Sequence, residues 1–220
     1  MGTGAWEQNS YKSITIAIPH VGLVMTEWAI RLRTLAIPPN INTTIDYAGH
    51  LPIDYARNVL VDRAIKAKVD HIFFLDSDVT PPVNALIQLI ADNLPIVSGI
   101  YRNKIDGLPA VWRHSKFPDG TPGYSPVAKF QSEGQAIIEA DAIGMGCCLI
   151  RMDVFSKVQY PWFKWTVDVK RRTGRGEDFY LCERAIEQGY KINVDTRIIC
   201  GHECLAELPP DFGPMQKVKI

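Results

Sequence analysis

The chain has 220 residues, enough for a substantial core, and its 24 Lys and Arg balance its 24 Asp and Glu to a formal net charge of zero. This balance argues against a nucleic-acid-binding protein, since such proteins carry a clear excess of basic residues. The first ten residues lack the cationic and apolar regions of a signal peptide, and no run of about 18 apolar residues is present to span a membrane. We therefore expect a soluble, cytoplasmic protein that folds as a single domain over residues 1–220.

The cysteine content favours a reducing compartment. Five cysteines, an odd number with two adjacent in sequence, make a poor disulfide framework. Cys200, His202 and Cys204 leave a zinc site open, although three ligands at such tight spacing lack the paired C-x-x-C units of structural zinc sites.

The first hundred residues alternate between patterns typical of strands and of helices. The predicted order is strand 13–18, helix 23–35, strand 41–47, helix 54–68, strand 72–75, helix 82–93 and strand 96–101. This alternation predicts an α/β fold with a mainly parallel central sheet flanked by helices, the layout of a nucleotide-binding half-domain. Neither G-x-G-x-x-G nor G-x-x-x-x-G-K is present, which argues against a dinucleotide or P-loop site.

The rest of the chain has a different character. Residues 102–133 are rich in Pro, Gly and aromatic residues, which predicts a substrate-facing insertion that contains a hairpin. Strands are predicted at 136–141, 147–152 and 191–194, and a helix at 178–188. The aromatic residues of this half either stack on sugar rings or pack in the core, and the sequence leaves both open.

Two acids end the most hydrophobic predicted strand. Asp76 and Asp78 follow Ile72 to Leu75, and residues two apart in a strand point the same way, so we expect their charges to crowd together at the C-terminal edge of the sheet. At about 4 Å and a surface-like dielectric, that repulsion is roughly 4 kcal/mol, so a positive group should lie there. Mg²⁺ or Mn²⁺ suits two carboxylates plus substrate phosphates. The alternative is that Asp76-Ser77-Asp78 simply begins a turn.

Three further features are candidates for ligand contacts. Arg57 lies in the first turns of a predicted helix, where it either contacts phosphate or a base or lies on a solvated face. Gly144 and Gly146 either let the backbone approach a ligand closely or mark a bulge. The basic segment 163–176 is either a loop that closes over a diphosphate or an ordinary solvated loop.

Acids and a histidine complete the candidate set. Glu177 and Asp178 open a predicted helix, where acids are also favoured by the helix dipole alone. His202 follows an apolar strand, from which it can reach a metal, although a solitary histidine is usually structural.

Taken in order, these motifs resemble those of GT-A nucleotide-sugar glycosyltransferases. The similarity is to the family-2-like members and, in the Glu-Asp helix and the late histidine, to the β-1,4-galactosyltransferase type. It covers nearly the whole chain: an opening strand ending "IPH", the strand-borne "DSD", the segment "DAIGMGCCLI", the sequence "GEDFYLCERA" and a late "GH". The resemblance implies a single GT-A domain with a nucleotide-binding half, 1–101, and an acceptor-binding half, 102–220.

The resemblance also implies roles for individual residues. Asp78 and His202, with Asp76 nearby, would hold Mn²⁺ or Mg²⁺, and Asp178 would be the general base with Glu177 holding the acceptor. The implied donor-binding residues are Pro19, His20, Asp46, Arg57, Asp76, Ser77, Gly144 and Gly146.

The expected reaction is transfer of a sugar from a UDP- or GDP-linked donor to a hydroxyl of a carbohydrate, lipid-linked or protein acceptor. We expect inversion with Asp178 as base, although retaining members of the class share the D-x-D and the late histidine. Two alternatives remain: a sugar nucleotidyltransferase, which would want a basic, Gly-rich loop after the first strand, and a non-catalytic carbohydrate-binding protein. The sequence does not specify the sugar, the acceptor or the oligomeric state.

Overall fold

The computed structural model describes residues 13–127, 136–168 and 173–204. Within them the strands are β1 (Ser13–His20), β2 (Asn42–Gly49), β3 (His71–Leu75), β4 (Val79–Thr80), β5 (Ile96–Ile100), β6 (Val111–Lys116), β7 (Pro122–Pro126), β8 (Ile137–Ala140), β9 (Ala142–Ile143), β10 (Cys147–Arg151), β11 (Thr166–Asp168), β12 (Thr173–Arg175), β13 (Ile192–Ile199) and β14 (Gly201–His202). The helices are α1 (Thr26–Thr34), α2 (Ile53–Ala67), α3 (Ala85–Asp92), α4 (Asp153–Lys157) and α5 (Glu177–Glu187).

Seven strands form the central sheet, in the order β2-β1-β3-β10-β5-β13-β8. β1 pairs in parallel with β2 and β3, and β13 pairs in parallel with β5, while β10 and β8 run antiparallel to their neighbours. Five of the seven strands therefore share one direction, as the α/β prediction requires. Strands from both halves of the chain are interleaved, since β10 lies between β3 and β5.

β3, inside the sheet, is buried on both faces. Successive side chains of a strand point to opposite sides, so they pack against different helices. Ile72 and Phe74 of β3 pack in one apolar cluster with Leu60 of α2, whereas Phe73 and Leu75 pack in a second cluster with Leu86 and Leu89 of α3. This confirms the prediction of a doubly buried strand before Asp76. It also holds the end of β3 firmly, since truncation of a buried Phe to Ala costs about 3–5 kcal/mol.

Two hairpins and a short strand pair lie beside the sheet. The hairpin β6–β7 lies within the segment for which the sequence predicts one, and β6 also pairs with β9. β11 and β12 form a second hairpin within the predicted basic segment, whose Lys170, Arg171 and Arg172 lie outside the described residues. β14, which carries His202, pairs with β4 directly after the two acids.

Several predicted boundaries shift. α3 begins at Ala85 instead of Pro82, whose carbonyl accepts the Ala85 N–H in a preceding turn. The strand predicted at 191–194 continues to Ile199 through a shift of register after Val194. No helix in the described part of the chain is long and apolar enough to cross a membrane.

Candidate active site

The candidate residues converge on the C-terminal ends of β1, β3 and β5, the edge where open α/β folds bind ligands. β3 ends at Leu75, and the next residues form a turn that the Val79 N–H closes by donating to the Asp76 carbonyl at 3.0 Å. The indole Nε1 of Trp28 donates to the same carbonyl at 2.8 Å. The strand end is therefore fixed from two sides.

The expectation that Asp76 and Asp78 crowd together rests on strand alternation, and the two acids do not lie in a strand. Strand alternation does not apply because β3 has already ended, and Ser77 occupies the partly buried turn between the acids. Each carboxylate faces a different cation: Asp76 accepts from Arg57, and Asp78 accepts from Lys104. The backbone forms a turn here, which is the alternative prediction. The positive charge expected beside the acids comes from Arg57 and Lys104.

Arg57 lies at the centre of a buried ion-pair network. Its Nη2 donates to both carboxylate oxygens of Asp76, at 2.8 and 3.0 Å, and its Nη1 donates to Oε1 of Glu177. Arg57 is 3% and Glu177 5% exposed, so neither alternative from the sequence, phosphate contact or a solvated face, describes this side chain. Removing one partner of such a network costs about 3–5 kcal/mol, because the charges left behind are buried. Glu177 therefore faces Arg57 and not the surface where an acceptor would bind.

Asn58 anchors the same region and was not predicted as a site residue. Its Oδ1 accepts the N–H groups of Trp162 and Phe163, at 3.0 and 3.2 Å, and its Nδ2 donates to the Phe163 carbonyl at 2.7 Å. The Phe163 ring in turn packs edge-on against Phe74 and lies 5.8 Å from the Arg57 guanidinium carbon. The signal present in the sequence is an Asn that follows Arg57 in the first turns of the predicted helix. Its burial and its hydrogen bonds depend on tertiary packing.

Asp78 forms the second charged cluster. Lys104 Nζ donates to its Oδ2 at 2.6 Å, and His202 Nε2 lies 3.5 Å from its Oδ1. Burial raises the pKa of Asp78, but the hydrogen bonds of His202 and Lys104 outweigh it and lower the pKa to about 2. The carboxylate is therefore ionised over the whole physiological range.

A hydrogen bond to the Arg102 carbonyl fixes the orientation of the His202 ring. Its Nδ1 lies 2.6 Å from the Arg102 carbonyl oxygen, an acceptor only, so Nδ1 carries the proton and donates. Nε2 then faces Asp78. In the doubly protonated ring Nε2 donates to that carboxylate, whereas in the neutral ring, with the proton on Nδ1, it carries the lone pair with which a histidine binds a metal. β14 places the ring here by pairing with β4.

Asp78 and His202 are two potential cation ligands that lie side by side. Among the described residues, no group of three or more His, Cys, Asp or Glu side chains has metal-binding geometry. Asp78 and His202 nevertheless offer one carboxylate and one imidazole, and Mg²⁺ or Mn²⁺ commonly takes its remaining ligands from substrate phosphates and water. The sequence predicts that Asp76 helps to hold the cation. In the structure both of its carboxylate oxygens instead accept hydrogen bonds from Arg57.

Cys200, His202 and Cys204 are not grouped as metal ligands in the described part of the chain. Cys200 is buried and Cys204 is exposed, while the ring nitrogens of His202 face Arg102 and Asp78. The described residues contain no zinc-type cluster.

Asp178 lies in the first turn of α5, beside the Arg57 network. Its Oδ1 accepts the Phe179 N–H at 2.8 Å, and no described residue donates a hydrogen bond to Oδ2. Burial, followed by the negative charge of Glu177, raises the pKa of Asp178 to about 7, although Arg57 opposes the shift. A carboxylate whose pKa lies near neutrality can accept a proton from a substrate and later release it.

The two glycines make room for protein side chains, which corrects the expectation that they admit a ligand. A methyl group on Gly144 would overlap the Tyr101 hydroxyl, and one on Gly146 would lie 3.0 Å from Asp76 Oδ2 and 2.7 Å from Val79 Cγ2. The Gly146 N–H donates to the Tyr101 hydroxyl at 3.0 Å, and its carbonyl accepts the Asp76 N–H. Burial and the nearby charge of Asp76 raise the pKa of Tyr101, so the phenol stays neutral.

The residues predicted to hold the nucleotide base lie on the adjacent strands β1 and β2. The parallel register places Pro19 opposite Ala48 and Ala17 opposite Asp46, so the two predicted residues share one end of the sheet. Asp46 is engaged by Arg63, whose Nη1 lies 3.0 Å from its Oδ1.

His20 lies at the same end of β1. Its Nδ1 accepts the Gly22 N–H at 3.0 Å, and its ring centroid lies 5.6 Å from that of Tyr47 and 5.8 Å from that of His50. These rings were not singled out from sequence as a group, because their proximity depends on the pairing of β1 with β2.

This arrangement is a mixed α/β fold with a large, mainly parallel central sheet, and it is compatible with a GT-A-like fold. Among solved structures, 131 chains are similar to it, including the following two. The crystal structure of A197 from STIV matches with a TM-score of 0.60 and 18% identity, over 88% of this chain and 86% of that chain. The crystal structure of GalNAc-T7 with UDP, GalNAc and Mn²⁺ matches with a TM-score of 0.56 and 13% identity, over 88% of this chain and 44% of that chain.

These likenesses define the fold and nothing finer. This chain spans less than half of the GalNAc-T7 chain, and both identities are low. No family model matches the chain, and no curated protein matches it in sequence.

Proposed function

We propose that this chain is a glycosyltransferase that moves a sugar from a nucleoside-diphosphate sugar to an acceptor hydroxyl, with inversion at the anomeric carbon. The observation that carries the proposal is the placement of Asp178, a partly buried acid with a raised pKa, beside the Arg57 network and on the same sheet edge as Asp78 and His202. The fold likeness to a protein solved with UDP, GalNAc and Mn²⁺ supports the same class.

The donor diphosphate would lie at Asp78. Asp78 and Nε2 of His202 would hold Mn²⁺ or Mg²⁺, and when bound the ion neutralises charge on the departing diphosphate. Lys104, beside Asp78, places a further positive charge next to the phosphates. Pro19, His20 and Asp46, on the adjacent strands, would line the place of the nucleoside, with Ser77 in the turn between the acids.

Asp178 would act as the general base. As the acceptor oxygen bonds to the anomeric carbon, the bond from that carbon to the diphosphate oxygen breaks and its electron pair leaves with the nucleoside diphosphate. The acceptor proton passes to the Asp178 carboxylate, which is the role that a carboxylate with a pKa near 7 can fill. Arg57 and Glu177 are positioning residues in this scheme, since their ion pair holds the start of α5 against the end of β3.

The proposal is tested by incubating the protein with Mn²⁺ and a panel of UDP- and GDP-sugars, with and without acceptors, and measuring nucleoside diphosphate release. Release with at least one donor is expected, because water also serves as an acceptor. Asp178→Asn should lose release, whereas Asp62→Asn, which alters an exposed acid on α2, should not. Pyrophosphate production would point to a nucleotidyltransferase instead, and no product from any donor would contradict the proposal.

A further inference from the structure

A cleft of about 840 Å³ lies between the hairpins β6–β7 and β11–β12 and the start of α5. This volume is within the range of about 300–1,000 Å³ that is typical of small-molecule sites. Its lining includes the aromatic rings of Phe117, Tyr124 and Phe179, together with Thr121, Thr166, Arg175 and Gly176.

One end of the cleft is lined by the two residues next to the proposed base in the structure and the chain, Gly176 and Phe179. Gly176 lines it, and a methyl group on Gly176 would lie only 2.6 Å from Asp178 Oδ1. The Asp178 carboxylate therefore lies next to Gly176 at this end of the cleft, although Asp178 is not itself among the lining residues. Phe179, the next residue along α5, lines the cleft as well.

Three aromatic rings line the cleft, and two of them are held in place by contacts with neighbouring side chains. The Tyr124 and Phe179 rings meet edge to face with centroids 4.9 Å apart. The Tyr124 hydroxyl donates to Glu183 Oε1 at 2.9 Å, which locks the ring, and Phe117 packs over Gly123 while remaining 53% exposed. Rigid aromatic surfaces contribute contact area at little cost in side-chain entropy.

The polar groups of the cleft favour an uncharged occupant. Arg175 is the one cation among the described lining residues, and its guanidinium pairs with Glu183 and lies 5.8 Å from the Tyr124 ring centroid. Its charge is thus compensated, and the lining also contains the carboxylate of Asp119, so the cleft does not call for an anion. Thr121 and Thr166 add hydroxyl groups to the lining, which a purely apolar lipid chain would leave without partners.

We propose that this cleft binds a neutral carbohydrate acceptor, with the faces of its sugar rings against Phe117, Tyr124 and Phe179 and the accepting hydroxyl directed past Gly176 toward Asp178. The inference rests on the proposed function and narrows its acceptor to a glycan. Aromatic faces combined with hydroxyl and carboxylate groups suit sugar rings, which carry apolar C–H faces and a rim of hydroxyls.

The test is saturation-transfer NMR on the full chain without nucleotide or metal, with maltose, cellobiose, lactose, chitobiose and mannobiose as probes. At least one disaccharide is expected to bind at millimolar concentration. Phe117→Ala should weaken that binding about five- to tenfold, the size expected for loss of one aromatic contact. Tyr160→Ala, which removes a ring that is 64% exposed and lies outside the cleft, should leave the affinity unchanged.

Tyr124→Phe guards against a folding artefact, because it keeps the ring and removes only the hydroxyl that bonds to Glu183. A folded Tyr124→Phe protein with weaker binding supports the cleft as the site. Absence of binding by all five disaccharides, or equal weakening by Phe117→Ala and Tyr160→Ala, overturns the inference. Binding of a short Ser/Thr peptide in their place would also overturn it and assign the cleft to a protein acceptor.

Disaccharide binding and nucleoside diphosphate release together show whether the acceptor inference or the proposed function has failed. Release of nucleoside diphosphate without disaccharide binding would leave the transferase standing and remove the glycan acceptor. Disaccharide binding without release from any donor would keep the carbohydrate site and remove the transferase.

Discussion

Asp178 combines two properties that oppose each other in most carboxylates: it lies within a charged cluster, yet burial and the charge of Glu177 keep its pKa raised. A base is active when deprotonated, so the pH dependence has a defined sign. The rate of nucleoside diphosphate release should rise with pH and level off above about pH 7.

Asp178→Asn should remove this rise and reduce the rate by about 10²- to 10⁴-fold, the usual contribution of a general base. Initial rates between pH 5 and 9 at saturating donor provide the measurement. A profile in Asp178→Asn that still follows the wild-type curve would assign the base elsewhere.

Lys104 occupies the position at Asp78 where a divalent cation would add positive charge, with Nζ 2.6 Å from Oδ2. Ammonium and metal ion should therefore compete for the same carboxylate. Lys104→Ala is expected to tighten Mn²⁺ binding about two- to fivefold, a small factor because the pair is partly solvated.

The measurement is a Mn²⁺ titration followed by electron paramagnetic resonance, without nucleotide. Lys66→Ala is the matched control, since Lys66 pairs with Asp62 on the exposed face of α2. Unchanged or weaker Mn²⁺ binding in Lys104→Ala would show that the two do not compete.

At the scale of elements, Gly146, the residue that precedes β10, needs space next to Tyr101 and Asp76. A methyl group on Gly146 would press on Val79 Cγ2 and Asp76 Oδ2, at 2.7 and 3.0 Å. Gly146→Ala is expected to destabilise the fold by about 1–3 kcal/mol, the usual cost of overpacking, measured by urea denaturation.

Gly174→Ala serves as the comparison, because its methyl group would meet only the Thr166 carbonyl at an ordinary 3.7 Å. Equal stability of Gly146→Ala and wild type would mean that the β10 segment moves freely away from the site.

A second element-scale prediction concerns the junction of α3 and β13, away from the site. Arg197 Nη2 lies 2.9 Å from Asp92 Oδ1 and 2.8 Å from Asp195 Oδ2, so one cation serves two acids. Burial, and then the charge of Asp195, raise the pKa of Asp92 to about 7. Since the folded pKa exceeds the unfolded one, Asp92 stabilises the fold at low pH and this contribution is lost as pH rises to about 7.

The free energy of unfolding should therefore fall between pH 5 and 8 in wild type relative to Asp92→Asn, which does not titrate. The expected relative change is about 1–3 kcal/mol, obtained from urea denaturation at both pH values. Parallel pH dependence of the two proteins would show that Asp92 is ionised throughout.

At the scale of the whole molecule, local sequence patterns predict well which segments form strands and helices, but they predict poorly which strands pair in the sheet. The buried run at 72–75 identifies β3 because every side chain in it is apolar and both faces are covered. The insertion of β10 between β3 and β5 has no local signal, since the strand comes more than 70 residues after β3 and pairs antiparallel with both neighbours.

The same limit applies to the site. The two acids, His202 and Asp178 were identified because each follows or opens a regular element. The Arg57 network was missed because it joins residues 120 positions apart in the chain, and the link from Lys104 to Asp78 joins a loop to a turn. Such contacts depend on tertiary packing, which periodicity does not encode.

The most direct test is calorimetric titration of the protein with UDP and GDP in the presence and absence of Mn²⁺. We predict that one nucleotide binds, that Mn²⁺ strengthens its binding, and that Asp78→Ala abolishes this strengthening whereas Asp62→Ala does not. Nucleotide binding that is equally tight with and without Mn²⁺ and in Asp78→Ala would contradict a donor site at this edge of the sheet.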